Sequence, residues 1–352
     1  MDVANGAEPD RDALVRVTFL GDTLVGGEGQ PVLDREGPRW AFDGIRHLLA
    51  RSDLVVINHE GPITRRSQPE NKLDTGRKRY WYRAMPNSVE ALLEAGVRVA
   101  SLANNHVMDF GASGLDDTIV ALDAAGIAHC GAGHSRSEAR RPAVVDVGGI
   151  RLGFLSFMQR YKIYVTEGAY ATRTQSGPLR LNLDRARADL AKLEDKVDLR
   201  IALVHWGRNY RKVNPRQRRL GAALGDAGAD LVIGHHPHVA QRVELIHGRP
   251  VCYSLGNGPL GTPGRFHSGR RPYGLIVSFD IDTSGRPRQM TVVPILVDNS
   301  RVEFRPEVAS SPESDRVLRR LLPDDLDWEA SVEGGLTAPL LRHALPVRVD
   351  GP

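Results

Sequence analysis

The chain has 352 residues, 41% of them apolar, with a net charge of +4 and two cysteines, Cys130 and Cys252, outside any CxxC motif. That is enough for one large α/β core or two ordinary ones, and it excludes a disulfide framework or a thiolate zinc site. No apolar run reaches the roughly 20 residues of a membrane span, the polar stretch Met1–Asp12 carries no charged-then-apolar leader, and the arginine-rich basic residues are scattered among acids instead of forming a stripe, which argues against nucleic acid.

Val15–Leu20 and Leu54–Ile57 read as short buried strands, with an amphipathic helix, Trp40–Ala50, between them. A second unit runs from helix Ser88–Ala95 through Gly96, its C-cap, to strand Val97–Leu102. A third runs from Gly114 through helix Leu115–Ala125 and Gly126 to strand Ile127–Cys130. Alternation of this kind implies a largely parallel sheet flanked by helices. Ala143–Val147 and Arg151–Phe157 flank Gly148-Gly149 and predict a hairpin. The stretch Met158–Pro178 is irregular, aromatic and basic. Helix Asp184–Glu194 then leads to strand Leu199–Val204, and helix Gln217–Ala227 to strand Leu231–Ile233. Strands follow at Val251–Ser254, Leu275–Ile281 and Met290–Leu296, and a helix at Glu313–Leu322 precedes a coil punctuated by Pro and Gly. With no internal repeat and no low-complexity linker, the chain reads as one domain over 13–300 with a loosely attached C-terminal helix and tail over 301–352.

Polar clusters stand at the C-terminal ends of successive strands, where α/β sheets build their sites. They are Gly21-Asp22, Asn58-His59-Glu60-Gly61-Pro62, Asn104-Asn105-His106 with Asp109, His205-Trp206-Gly207, Gly234-His235-His236-Pro237-His238 and Ser254-Leu255-Gly256-Asn257. Singly, Gly-Asp is a common turn, Asn-Asn-His could cap a helix, and one histidine could be a satisfied core residue. Three imidazoles in four residues after an apolar strand point instead to a transition metal, for which neutral imidazole is the commonest protein ligand. Six such endings together favour a metal site over coincidence.

This series resembles the CapA family over roughly Val15 to Leu296. Members of that family are named for poly-γ-glutamate capsule synthesis and belong to the calcineurin-like metallophosphoesterase superfamily. The resemblance implies a four-layer α/β/β/α sandwich with a metal site at the edge of its two central sheets. Carried onto these positions, it implies that Asp22 and His238 hold a first metal, that Glu60 bridges, and that Asn105, His205 and His236 complete a second. His106 becomes a general acid or electrostatic stabiliser oriented by Asp109, and His235 a supporting or solvent-facing group. The superfamily commonly carries Asp-x-His at the first strand, whereas this chain has Asp22-Thr23-Leu24. The first site is thereby left with Asp22, Glu60 and His238, so one or two divalent ions are expected. A mixed N/O ligand set suits Mn, Fe or Zn better than Ca or Mg.

Arginine near such a site favours an anionic small-molecule or peptide substrate, because guanidinium pairs with carboxylate and phosphate. Arg83, after Tyr80-Trp81-Tyr82 and three residues before Pro86, resembles the basic residue of the family's aromatic-Arg pattern. Arg160, Tyr161 and Lys162, with Tyr164 and Arg173, form the expected specificity loop, and Arg208 with Tyr210 and Asn257 complete the substrate contacts. Against these stands the plainer reading that aromatic-basic stretches pack over a sheet edge. The resulting expectation is a cytoplasmic, metal-dependent enzyme cleaving or transferring an amide or γ-glutamyl bond in a biosynthetic pathway. A metal-dependent phosphoesterase and a non-catalytic polyglutamate assembly protein are the alternatives.

Overall fold

A computed structural model describes residues 14–69, 80–262 and 272–340. The first unit comprises β1 (Val15–Leu24), three short helices α1 (Gln30–Glu36), α2 (Trp40–Asp43) and α3 (Arg46–Leu49), and β2 (Leu54–His59). Next come α4 (Ser88–Glu94), β3 (Val97–Ser101), α5 (Gly111–Ala124), β4 (Ala128–Cys130), β5 (Ala132–Gly133) and α6 (Arg136–Ala139). The hairpin β6 (Ala143–Val147) and β7 (Ile150–Met158) precedes α7 (Lys162–Thr166), β8 (Gly177–Pro178), α8 (Leu183–Ala191), β9 (Leu199–His205), α9 (Pro215–Asp226) and β10 (Leu231–His235). The remainder is mostly strand: β11 (Val243–Ile246), β12 (Arg249–Cys252), β13 (Asn257–Leu260), β14 (Tyr273–Ile281) and β15 (Pro287–Leu296). It closes with α10 (Asn299–Val302), β16 (Glu307–Val308), α11 (Ser311–Leu321), β17 (Glu329–Ala330) and β18 (Leu336–Pro339).

Two sheets face each other. In the larger, the order β17-β18-β15-β14-β1-β2-β3-β4 has a parallel half, β1 to β4, and an antiparallel half, with β13 running parallel to β1 beyond its pairing with β14. In the smaller, the order is β11-β12-β10-β9-β7-β6, parallel through β12, β10, β9 and β7 and antiparallel at both edges.

Strand alternation divides the side chains into three apolar layers. Val17 and Phe19 of β1, Leu54 and Val56 of β2, Phe154 of β7, Ile201 and Leu203 of β9, and Leu231 and Ile233 of β10 fill the space between the sheets. The opposite faces pack outward. Val55 and Ile57 meet Leu92, Leu115 and Leu122 of α4 and α5, while Ala202, Val204 and Val232 meet Ala186, Leu190 and Leu224 of α8 and α9. Three cores between four layers make the α/β/β/α sandwich.

Three departures from the sequence expectations have local causes. The expected helix over 40–50 is two four-residue helices, because Ile45 leaves the helical region (φ −122°, ψ 0°) to bury its side chain fully. β1 runs on to Leu24 because β13 supplies it with a second partner, pairing Asp22 with Asn257. The segment after 300 is bonded into the large sheet: β18 pairs with β15 from Gln289–Pro339 to Val292–Leu336, and α11 sends Val317, Leu318 and Leu321 into the inter-sheet core. The last part of the expected tail, 341–352, lies outside the described residues.

Candidate metal centre

The parallel strands of both sheets deliver their C-terminal ends to one edge. On β1, the Asp22 amide donates to the Gly256 carbonyl at 2.9 Å. The approach is so close that a Cβ on Gly21 would lie 2.1 Å from that oxygen. Asn58, on β2, donates from Nδ2 to Asp22 Oδ1 at 2.8 Å, and the amide of Glu60 donates to the Thr23 carbonyl at 2.9 Å. β9 ends on His205 and β10 on its register partner His235. A Cβ on Gly234 would lie 2.1 Å from the Tyr253 carbonyl oxygen and 2.5 Å from Trp206 Nε1, so only glycine lets β10 pass here. The chain then turns sharply. His236 and His238 adopt φ of 97° and 56°, a left-handed region that costs a non-glycine residue about 1–3 kcal/mol and concentrates at functional sites.

The turn gathers two groups of metal-ligating atoms, each mutually within 4.8 Å: Asp22, Glu60 and His238, and Glu60, His205 and His236. Glu60 belongs to both. Its Oε1 lies 3.8 Å from His205 Nε2 and 3.8 Å from His238 Nε2. That is too long for a hydrogen bond and near the about 3–3.5 Å that separates two donors bound to one ion at about 2.1 Å. Both Glu60 oxygens and His236 Nδ1 are buried without a hydrogen-bond partner among the described residues, an expensive condition for polar groups unless a ligand is meant to satisfy them. Asn105 Oδ1 lies 2.6 Å from His205 Nε2, which puts an amide oxygen beside the second group.

The electrostatics run the same way. Burial first, and the neighbouring Asp22 carboxylate second, push the Glu60 carboxyl well above its ordinary range. Burial also raises Asp22, but the hydrogen bond and charge of His238 outweigh it and leave Asp22 below its usual value. His238 accordingly rises to about 9: burial opposes the rise, and the charge of Glu60 with the hydrogen bond to Asp22 overcomes it. Burial takes His236 down to about 3 and, helped by the neighbouring imidazoles, His205 well below its ordinary value. Both rings are therefore neutral, the form that binds a metal.

Around this cluster, His106 Nδ1 is 2.7 Å from Asp109 Oδ2, which also accepts from the Tyr82 amide at 2.8 Å. Tyr82 stacks on the His106 ring at 3.8 Å. A carboxylate oxygen can only accept, which fixes Nδ1 as the donor. His235 is buried and not solvent-facing, with Nε2 3.2 Å from the Leu20 carbonyl. Asn257 Oδ1 is 3.0 Å from His238 Nδ1, so this residue, expected to contact substrate, sits against the His238 ring.

The basic residues expected to meet substrate are not bonded to the cluster. The Arg83 guanidinium sits 5.7 Å over the Phe110 ring and donates to the Arg66 carbonyl. Arg160, Lys162 and Arg208 are exposed, and among the described residues none makes a hydrogen bond or ion pair to the cluster. Tyr161 does reach it, with its ring 5.2 Å from that of His236. Tyr210 lies 5.9 Å from His238. The wall is therefore tyrosine: Tyr82, Tyr161 and Tyr210. The sequence signal was the aromatic half of the aromatic-basic stretches, and the supporting asparagine Asn58 was legible only as part of a strand ending.

Known proteins agree with the resemblance drawn from the sequence. The family model described as bacterial capsule synthesis protein PGA_cap matches residues 16–258. Capsule biosynthesis protein CapA of Bacillus anthracis is 31% identical over 315 residues, covering 88% of this chain and 73% of that one. PGA biosynthesis protein CapA of Bacillus subtilis is 30% identical over 70% of this chain and 63% of its own length. A probable polyglutamine synthesis accessory protein of Mycobacterium tuberculosis is 35% identical over 62% of this chain and 59% of its own. This chain thus spans less than two thirds of the latter two relatives. Among solved structures, the calcineurin-like phosphoesterase YfkN from Bacillus subtilis superposes with a TM-score of 0.47 at 15% identity, over 87% of this chain and 97% of that one.

Proposed function

The chain belongs to the bacterial capsule synthesis protein PGA_cap family, and from that premise we propose that it is a metal-dependent enzyme acting on an amide or γ-glutamyl bond of an anionic substrate, by hydrolysis or transfer, in a biosynthetic pathway. The observation that carries the proposal is the shared Glu60, whose two oxygens lack partners between two groups of ligating atoms. Asp22, Glu60 and His238 would hold one divalent ion of the Mn, Fe or Zn type, and Glu60, Asn105, His205 and His236 the other. Bound there, such ions supply Lewis acidity and lower the pKa of water.

The chain's own groups do the rest. His106, held by Asp109, carries a proton on Nε2 to the leaving amine, a contribution of about 10²–10⁴-fold for a placed general acid. Tyr82, Tyr161 and Tyr210 restrict water around the cluster. Burial keeps the Tyr82 and Tyr161 hydroxyls neutral, so they add no negative charge where an anion must bind. The names of the relatives, capsule and PGA biosynthesis proteins, support a polyglutamate-like substrate.

The test is elemental analysis followed by turnover with Mn²⁺ of an oligo-γ-glutamate and of generic aryl phosphates. Amide cleavage lost in His236→Ala supports the proposal. Robust phosphate turnover lost in the same variant would replace it with a phosphoesterase. Absence of bound transition metal, with polymer synthesis unaffected by Glu60→Ala, would replace it with a non-catalytic assembly role. Cytoplasmic residence is part of the proposal, supported by two buried, unbridged cysteines; recovery of the chain in a membrane fraction would refute it. No helix among the described residues is long and apolar enough to cross a membrane.

A further inference from the structure

The larger charged hollow of the molecule is internally balanced. At the N-terminal ends of β9 and β10, a cavity of about 490 Å³ sets Arg200, Arg249 and Arg286 against Glu194, Asp198, Asp226 and Asp230. A cavity of about 170 Å³ beside the 159–172 segment is not. It is lined by Arg136, Arg180 and Arg185, with Tyr170 and Val165, and by no acidic residue. Among the described residues, none of the three guanidinium groups has a hydrogen-bond partner or a carboxylate. Three cations converging on one hollow repel each other unless an anion enters, and guanidinium is the side chain best suited to grip carboxylate.

Its position relates it to the metal centre. The Tyr170 hydroxyl accepts from the Tyr161 amide at 3.0 Å and donates to the Gln159 carbonyl at 2.7 Å. The Tyr161 ring in turn packs 5.2 Å from His236. Arg180 is bridged through its backbone to Met158, the residue paired with His205. The hollow is thus one tyrosine away from the ligand cluster. On the same pair of helices, α6 and α8, a second cavity of about 340 Å³ carries Arg140, Arg141, Lys192 and Lys196. Its one lining acid, Asp189, is already taken by Arg140 at 2.6 Å and Lys192 at 3.5 Å. Two basic hollows carried on the same two helices fit a repeating anion better than a single small one.

We propose that the cavity of Arg136, Arg180 and Arg185 is an anchoring subsite for a carboxylate-bearing chain whose scissile amide lies at the metal centre. This rests on the anionic amide substrate proposed above, but the anchoring needs no metal and is measured without it. The probe is a fluorescein-labelled, γ-linked glutamate decamer, followed by fluorescence anisotropy with the whole, chelator-treated protein at low salt. In Arg136→Gln/Arg180→Gln/Arg185→Gln the dissociation constant rises by about tenfold or more, as expected for lost charge-assisted contacts. A charge-matched control, Arg39→Gln/Arg249→Gln/Arg286→Gln, stays within about twofold of the unaltered protein, separating contact from long-range charge. Arg180 and Arg185 are exposed, so Arg180→Gln/Arg185→Gln gives a folded fallback with a smaller shift in the same direction. Equal binding by the triple variant, an equal loss in the control, or displacement of the probe by micromolar inorganic phosphate would each overturn the proposal. Failure of every amide substrate to turn over would strike the catalytic reading alone and leave the binding result standing.

Discussion

Binding of a divalent ion beside His238 must expel a proton, and the amount follows from the site. The ring sits at about 9 because the charge of Glu60 and the hydrogen bond to Asp22 outweigh burial, the largest single influence, which pushes the other way. Above that pH the imidazole is already neutral and affinity is independent of this proton. Below it, each unit costs a factor of ten, so at pH 7 the penalty is about 10²-fold, or about 2.7 kcal/mol at about 1.36 kcal/mol per unit. Glu60, itself raised by burial and by Asp22, adds to the release. Mn²⁺ titrated calorimetrically into chelator-treated protein, in two buffers of different ionisation enthalpy, gives affinity and protons together. The expected outcome is at least one proton per ion and a dissociation constant falling about tenfold per unit between pH 6.5 and 8.5. Glu60→Gln removes the charge that holds His238 up, so the pH dependence moves to lower pH. Affinity falls by more than the about 10–100-fold typical of changes outside the ligands. In the metal-free protein the same raised pKa stabilises the fold below about pH 6.5, and that stability is lost as pH rises through about 9. Affinity that stays flat across this range, with no proton released, would refute His238 as a ligand beside two carboxylates.

Four further outcomes bear on the site. His236→Ala and Asp22→Ala each remove a member of a different ligand group, and each lowers bound metal by one equivalent in elemental analysis; retention of both ions by either variant counts against the shared Glu60. Asp109→Asn weakens the acceptor for His106 Nδ1–H and lowers kcat about 10²-fold at unchanged metal content, so an unaltered kcat removes His106 from catalysis. Gly234→Ala forces a Cβ to 2.1 Å from the Tyr253 carbonyl and costs about 3 kcal/mol in denaturant unfolding; a loss under about 1 kcal/mol would mean that β10 can shift. Leu24→His places an imidazole in the apolar cluster of Leu20, Val25 and Ile57 and costs about 2–3 kcal/mol without adding metal; a gain in bound metal would show that β1 can turn this side chain into the site.

The ligand cluster was legible because of how parallel strands are built. Their interiors must be apolar on both faces, so Asp22, Asn58, His205 and His235 stand out where Val, Ile and Leu give way. The two layers of core were legible for the same reason, through the alternation of Ile201 and Leu203 with Ala202 and Val204. Residues brought in across the fold carry no such periodicity. Asn257 reads as a loop asparagine until β13 pairs with β1 and sets it on His238. The strand β18, between β17 and β15, has only four residues, and nothing in its sequence names β15 as its partner. In the 158–178 stretch Arg160 and Lys162 are exposed, while tyrosines beside them can lose solvent and pack against the cluster.

The two ligand groups are unequal, and the inequality follows from one apolar side chain. Two residues after Asp22, Leu24 is 1% exposed and belongs to the outer core with Leu20 and Ile57. The β1–β13 pairing shifts register between Asp22 and Leu24. One group is left with two carboxylates and one imidazole, the other with one carboxylate, two neutral imidazoles and an adjacent amide oxygen. Asp22 and Glu60 are the carboxylates of the two groups, and they would offset half of the four positive charges of a pair of divalent ions. The next carboxylate, Asp109, is near enough to raise Glu60 but is engaged by His106, while burial keeps the imidazoles of His205 and His236 neutral and the phenol of Tyr161 protonated. In the proposed two-ion state, the excess positive charge remaining in this buried, tyrosine-walled site would favour an anionic substrate without an arginine at the ions themselves.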